Sequence, residues 1–371
     1  FLPIKGERFD AHDFIGKAIE NGAAAVMSHR ENEEYPVPAL YVENTSQALL
    51  DLAGGYRTMC GGKVVGVTGS VGKTTTKELL YAVLSQGFRA QKTEGNLNNE
   101  IGLPLTLMRM TRDTEVLVAE MGMNHFHEIE RLSQSANPNL AIVSKIGTSH
   151  IGILGSRENI ARAKAEIVQG MCAAGDFLPL LVLGGEDDFT PFIRDTFAQP
   201  AGIDVMLAGV SDDDEVRARD IRVDDEGRPV FTLDFGQGET IDTMLAIPGV
   251  QSVPNAVKAA AVSYRLGVTP EQIDAAFRGL TARRSSAPRA VPASSTIPIT
   301  PVPNPWLLAS IYCARFRAWG LAWRSWARWA RWAMRLLACM SSWAPMRPPR
   351  SSTCWRAWVV SWPSLWPMPR A

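Results

Sequence analysis

Acidic side chains are absent from this sequence after Asp274 and lysine after Lys258, and tryptophan is absent before Trp306. The zero net charge of the 371 residues therefore averages two different compositions. Residues 1–280 hold all 38 acidic residues against 25 Lys and Arg, a net charge of −13. From Thr281 onward there are 13 arginines, no other charged side chain and all 11 tryptophans. At the acid frequency of the first 274 residues, the last 97 should carry roughly 13 acids, so a complete lack lies far from globular norms. Cysteine is equally sparse in the acidic part, where only Cys60 and Cys172 occur. That excludes a disulfide framework and cysteine-based metal spacing, and fits a reducing compartment. No apolar run reaches membrane-spanning length, so stable membrane insertion is not expected. A net-negative globular part gives no reason to expect nucleic acid as partner. The chain starts at Phe1, already inside a structured-looking segment, and an N-terminal piece is expected to be missing.

Residues 1–57 read as a small α/β unit, with a short helix over 14–19 and strands over 23–27 and 39–42. Gly54-Gly55 and Gly61-Gly62 bracket an expected linker. From Lys63 the rhythm is strand–helix alternation. Strands are expected at 63–68, 115–119, 140–145 and 178–183, and helices at 73–86, 128–134 and 158–171. Such alternation predicts an α/β fold with a mostly parallel sheet covered on both faces. The shorter strands at 205–208 and 230–235 are expected to pair antiparallel. Two helices close the acidic part, at 254–266 and 270–280, the second with Thr269 as N-cap and Pro270 in its first turn.

The strongest chemical signal is Val67-Thr68-Gly69-Ser70-Val71-Gly72-Lys73-Thr74-Thr75, set between a strand and a helix. A polyphosphate needs backbone N–H groups turned inward around a tight loop, which Gly69 and Gly72 permit. The helix N-terminus adds partial positive charge. Lys73 supplies a full charge for β- and γ-phosphates, and Thr74 a hydroxyl for Mg²⁺. The general P-loop pattern places glycine where Val67 stands. Gly95 to Asn99 form an amide-rich loop. Asn96, Asn98 and Asn99 offer donors and acceptors to a polar substrate, although Asn and Gly also simply turn chains. Glu120 follows a strand at the carboxyl edge where α/β sheets bind ligands, and can hold Mg²⁺ directly. His150, after another strand end, is a second candidate. Glu128 reads as a residue on a solvated helix face. Lys164 by itself reads as a surface lysine on a helix.

The loop Thr68–Thr75 with its displaced glycine resembles that of the Mur ligases. The resemblance continues through Thr93-Glu94-Gly95-Asn96-Leu97-Asn98-Asn99-Glu100-Ile101-Gly102-Leu103-Pro104 and Lys5-Gly6-Glu7-Arg8-Phe9-Asp10-Ala11-His12-Asp13-Phe14. It covers roughly residues 1–280 and is nearest to the branch that joins D-Ala-D-Ala to UDP-MurNAc-tripeptide. The resemblance implies ATP and Mg²⁺, an acyl-phosphate route to an amide bond, and a cytoplasmic monomer. It implies a partial UDP-substrate-binding domain over 1–57 and a central ATP-binding domain over 58–282. Catalytic roles would fall to Lys73, His150 and Lys164, the last carbamylated and holding a second Mg²⁺ with Glu166 beside it. Glu120, His150 and Thr74 would be metal ligands, and Asn96–Asn99 would meet the UDP-muramoyl substrate. His125 matches the Asn-His that follows the family's Glu-x-Gly motif. Gly69 to Thr75 would hold ATP, with Asn255 near the adenine. In Pro248-Gly249-Val250-Gln251-Ser252-Val253-Pro254-Asn255-Ala256, Gln251 and Ser252 replace the family's His and first Asn.

A third α/β domain with an Asp-Asp-x-Tyr-Asn-Ala-Asn-Pro run is also implied soon after residue 290, where Thr296 to Pro305 stand instead. Trp323, Trp326, Trp329 and Trp332 recur every three residues. A membrane or partner helix built on Arg324, Arg328, Arg331 and Arg335 is one reading of 283–371. A frameshift near 281–286, leaving an unfolded aberrant tail and little activity, is the expectation. A sister ligase adding one amino acid, a non-catalytic ATP-binding or membrane-associated protein, and folylpolyglutamate synthetase are the rival readings.

Overall fold

The structure, a computed structural model, describes residues 1–6 and 8–280. The expectations for 283–371, the frameshift included, lie outside the described residues. The first segment carries a short turn of helix at Ala11–Phe14, α1 (Ile15–Glu20), β1 (Val26–Ser28), β2 (Ala39–Tyr41) and α2 (Thr45–Cys60). β1 and β2 form their own parallel two-stranded sheet. Asp10 anchors the Lys5–Phe14 motif. Its Oδ1 accepts from the His12 backbone at 3.0 Å and lies 2.5 Å from His12 Nδ1, while Arg30 donates to its Oδ2 at 3.1 Å.

The expected linker is instead the helix α2, and the expected boundary at 57/58 falls inside it. Asn44 caps its start by accepting from the backbones of Ser46 and Gln47, and Gly61 ends it at φ 73°. Gly54 does not break the helix, because its bare Cα makes room: a Cβ there would come within 3.1 Å of the Ser135 carbonyl. Leu50, Ala53 and Cys60 on one face enter the core. Buried Arg57 donates to the Ala136 carbonyl at 3.2 Å, tying α2 to the next layer.

The main body alternates β3 (Lys63–Thr68), α3 (Lys73–Leu84), β4 (Ala90–Lys92), α4 (Gly102–Leu107), β5 (Val116–Glu120), α5 (Glu128–Ala136), β6 (Leu140–Val143), α6 (Ile151–Leu154), α7 (Arg157–Ala165), β7 (Leu180–Leu183), α8 (Thr190–Ile193) and β8 (Asp204–Gly209). β9 (Val216–Val223), β10 (Pro229–Asp234), β11 (Thr240–Met244), α9 (Val253–Arg265) and α10 (Pro270–Gly279) follow. The nine strands lie in the order β11-β10-β9-β8-β7-β6-β3-β5-β4. Every pairing from β4 to β9 is parallel, and β9, β10 and β11 pair antiparallel. The expected α/β fold with a mostly parallel sheet is thus present. One orientation differs: 205–208 belong to β8, which runs parallel to β7 from Leu180↔Asp204 to Leu183↔Leu207. The helical stretch from Thr190 to Ala201 supplies the crossover that parallel pairing needs.

Alternate residues of the central strands feed two cores. Val65, Val67, Val116, Val118, Leu140 and Ile142 pack with α3, α9 and α10, whereas Val64, Leu117, Ala119, Ala141 and Val143 pack with α2, α4 and α5. Period-2 side chains buried on both faces are why these strands read as continuous apolar runs. Thr269 and Gln272 form the expected capping box of α10. Among the described residues, no helix is long and apolar enough to cross a membrane.

The closest layer contact predicts a sensitive position. A Cβ on Gly170 would lie 2.1 Å from the Ser133 carbonyl carbon and oxygen in α5, whereas one on Gly16 meets nothing within 4 Å. Gly170→Ala should cost about 2–3 kcal/mol by overpacking, read by denaturant unfolding, and Gly16→Ala should be neutral or slightly stabilising.

Candidate functional site

The chain leaves β3 and returns twice, first to the β5–β4 side and then to β6, so the strand order reverses beside β3. A ligand crevice is expected at the carboxyl ends of strands at such a point. The loop Gly69–Gly72 lies there. Gly69 has φ 141° and a Cβ on it would sit 2.1 Å from Ser144 Oγ; Gly72 has φ 90° and a Cβ on it would meet the Asn255 side-chain amide at 2.7 Å. Both glycines are thus required by conformation and by close approach. Ser70 N donates to the Lys145 carbonyl at 2.8 Å and Ser144 Oγ to the Val71 carbonyl at 2.6 Å, fixing the loop on the end of β6. Lys73 Nζ donates to Gly69 O at 2.7 Å across the loop. Burial pulls the Lys73 pKa down, against the attraction of Glu120. The Val71 side chain is exposed, Thr75 is half-buried in the first turn of α3, and Ser70 is buried.

Glu120 closes β5 with only 2 % of its surface exposed. Thr74 Oγ1 donates to its Oε2 at 3.2 Å and Asn98 Nδ2 to its Oε1 at 2.8 Å. Lys77 Nζ lies 3.3 Å from Oε2 and donates to the Gly95 carbonyl at 2.9 Å. The Glu120 backbone N–H donates to Thr93 Oγ1 at 3.0 Å. The carboxylate therefore gathers the phosphate-loop helix, the amide-rich loop and the strand end at one point.

Of the three asparagines singled out by sequence, Asn98 is committed to Glu120, and Asn99 Oδ1 accepts from the Ile101 and Gly102 backbones at 3.2 and 2.8 Å at the start of α4. Asn96 and Asn99 are both exposed, and Asn98 is half-buried. A local turn thus occupies the Asn99 side-chain oxygen. Glu128 also differs from its expected solvated face: its Oε2 accepts from the Asn124 backbone at 2.7 Å, and it faces Lys164 electrostatically. His125 pairs with Glu128 at 3.1 Å.

Lys164 is not on the surface. It is wholly buried on α7, and its Nζ has no hydrogen-bond partner. Desolvation first, then the neighbouring charge of Lys73, pulls its pKa to about 7, while Glu128 and Glu166 oppose the shift. Burial pushes the Glu166 carboxyl up; it accepts from the backbones of His127 at 2.8 Å and Glu130 at 3.4 Å. His150 starts α6 at φ 69°. Burial, Lys164 and Lys73 lower its pKa, in that order, which places it electrostatically beside both lysines. The residues thus gathered around the loop are Lys73, Thr74, Glu120, His150, Lys164 and, by contact with Gly72, Asn255. Sequence reasoning missed Lys77, Thr93 and Ser144. The signal for Lys77 was present, since a residue four after Lys73 shares its helix face.

This donor set fits a nucleotide–metal pair. Gly69 and Gly72 form a cradle that side chains would fill, and Thr74 and Glu120 offer hard oxygen ligands at its rim. The orphaned Lys164 nitrogen is basic near neutral pH and can take up CO₂ as a carbamate, turning a buried cation into an anion.

A P-loop between a strand and a helix, at the carboxyl rim of a doubly covered parallel sheet, defines a nucleotide-binding α/β protein. Residues 67–263, more than half of the chain, match the family model described as Mur ligase middle domain, and the chain belongs to the Mur ligase family. It is similar to the UDP-N-acetylmuramoyl-tripeptide–D-alanyl-D-alanine ligase of Bacillus subtilis, with 39% identity over 282 residues, 76% of this chain and 58% of that one. A crystal structure of MurF from Acinetobacter baumannii superimposes with TM-score 0.69 and 33% identity, covering 76% of this chain and 60% of that chain. The MurF ligase of Thermotoga maritima in complex with ADP gives TM-score 0.66 and 29% identity, covering 76% and 62%. The chain spans about three-fifths of the length of these relatives.

The buried lysine has a pH signature. Its folded pKa of about 7 lies below the ordinary lysine value of 10.5, so the unfolded chain binds more protons between these values and stability rises with pH across that window. In CO₂-depleted buffer, unfolding free energy should climb from about pH 7 to about pH 10 more steeply for wild type than for Lys164→Met.

Proposed function

We propose that residues 1–280 carry the nucleotide-binding and part of the UDP-substrate-binding machinery of a ligase that joins D-Ala-D-Ala to UDP-MurNAc-tripeptide with ATP, as a monomer in the cytoplasm. The single observation that carries this reading is the convergence of Lys73, Thr74, Glu120 and the unpartnered Lys164 around one glycine cradle. Similarity to the Bacillus subtilis ligase over 76% of the chain supports the choice of substrates. Residues 1–57 are assigned to the UDP-substrate side and 58–282 to the ATP side, with α2 bridging them.

The chemistry follows from the weakness of a carboxylate as an electrophile. A carboxylate oxygen of the tripeptide attacks the γ-phosphorus of ATP, the bond to ADP breaks, and an acyl phosphate forms. The amine of D-Ala-D-Ala then attacks the acyl carbon, and phosphate leaves with the C–O bond electrons. Two anions meet in the first step, so a fixed cation is needed. Lys73 supplies it at the phosphates, and the loop's other backbone N–H groups, with that of Ser70 committed to Lys145, would hold the chain of oxygens in line. Mg²⁺, held by Thr74, Glu120, His150 and carbamylated Lys164, would supply further charge neutralisation. Asn255, whose side-chain amide packs on Gly72, is assigned to the adenine. Exposed Asn96 and Asn99 are the amides assigned to the muramoyl substrate.

Isothermal titration of the full chain tests this. ATP should bind, and Lys73→Ala should weaken it about 10–100-fold, the value of a hydrogen bond to a charged group. UDP-MurNAc-tripeptide should bind and folate should not. Unchanged ATP affinity in Lys73→Ala contradicts the reading, and folate binding would favour a folate-type ligase.

A further inference from the structure

We propose that Lys77 makes divalent-cation binding at Glu120 conditional on a nucleotide, by acting as the resident counter-ion of that carboxylate. The inference rests on the reading of Glu120 as a metal ligand. It starts from an oddity of placement. A lysine on a helix ordinarily extends into solvent, yet Lys77 is 1 % exposed. It points back along α3 toward the phosphate loop, one turn beyond Lys73. Its ammonium lies 3.3 Å from Glu120 Oε2, donates to Gly95 O at 2.9 Å, and has Glu78 Oε1 at 3.6 Å. Glu78 is half exposed and also paired with Lys92, so Glu120 is the buried partner that Lys77 neutralises.

The surroundings sharpen the consequence. Lys73 sits one turn away and feels Glu120. A bare divalent cation approaching Glu120 therefore meets a buried ammonium already on one carboxylate oxygen, with the Lys73 ammonium one turn away. In a poorly solvated rim such repulsion is strongly felt. A nucleotide adds several negative charges at the cradle and reverses the balance, so that Lys77 and the metal can share Glu120. Cation and nucleotide then enter together rather than the cation alone. Lys77 acts through Glu120.

The charge of Lys77 can be separated from its bond to the Gly95 carbonyl. Lys77→Gln keeps an N–H donor and removes the charge; Lys77→Arg keeps the charge. The readout is Mn²⁺ binding to the full chain, by electron paramagnetic resonance, with and without saturating ADP. Wild type should bind Mn²⁺ much more weakly without ADP. Lys77→Gln should raise the nucleotide-free affinity about tenfold or more and narrow the ADP-dependent gap, and Lys77→Arg should resemble wild type. Lys77→Met serves in the same role should Lys77→Gln not fold. An unchanged nucleotide-free affinity in the neutral variants, or Lys77→Arg behaving as they do, overturns the proposal while leaving Glu120 a metal ligand. Equal wild-type affinity with and without ADP overturns it whatever the variants do. No Mn²⁺ binding even with ADP removes the metal reading of Glu120 itself, and this inference with it.

Discussion

A carboxylate that has left water must be paired and hydrogen-bonded, and Glu120 at the end of β5 meets that demand with groups from two other stretches of chain. Thr74 and Lys77 come from α3, Asn98 from the loop after β4, and Thr93 holds the backbone beneath. Removing one partner of such a buried pair costs about 3–5 kcal/mol, so the three stretches are held together by a term comparable to a large share of a domain's stability. The phosphate loop and the amide-rich loop are thereby coupled through a single side chain.

The sheet makes that coupling possible. β3 and β5 are adjacent and parallel, with Val67 opposite Glu120, so the loop after β3 and the last residue of β5 emerge on the same rim. β6 lies on the other side of β3 and delivers Ser144 to the underside of Gly69. Where backbones must come this close, side chains are excluded, and glycine recurs at the loop and at the layer contacts. The two apolar cores on the faces of the sheet hold these strand ends in place, and the polar rim is left for chemistry.

Much of this could be read from residues alone, because the local signals agreed. Strand, glycine loop, Lys-Thr and helix coincide at 63–84, and β3 has the expected bounds. Thr269 and Pro270 announced α10. The misreadings share one cause, since each concerns partners distant in sequence. Parallel or antiparallel pairing of β8 depends on the path of the crossover, which its own alternation does not encode. Gly54-Gly55 looks like a break until Ser135 is seen against it. Lysine is a surface residue by habit, so the burial of Lys77 and of Lys164 was not legible, and only family resemblance set Lys164 apart as a carbamylated residue. Buried charge is the least legible property of a sequence and the most telling one in this site.

The central claim is that the Glu120 cluster links a divalent cation to phosphate binding at Gly69–Lys73. Nucleotide affinity with and without Mg²⁺, measured on wild type and on Glu120→Gln with folding checked by circular dichroism, tests it most directly. The account predicts that Mg²⁺ strengthens binding to wild type and gives little gain in the folded Glu120→Gln chain. An equal gain in both would contradict it.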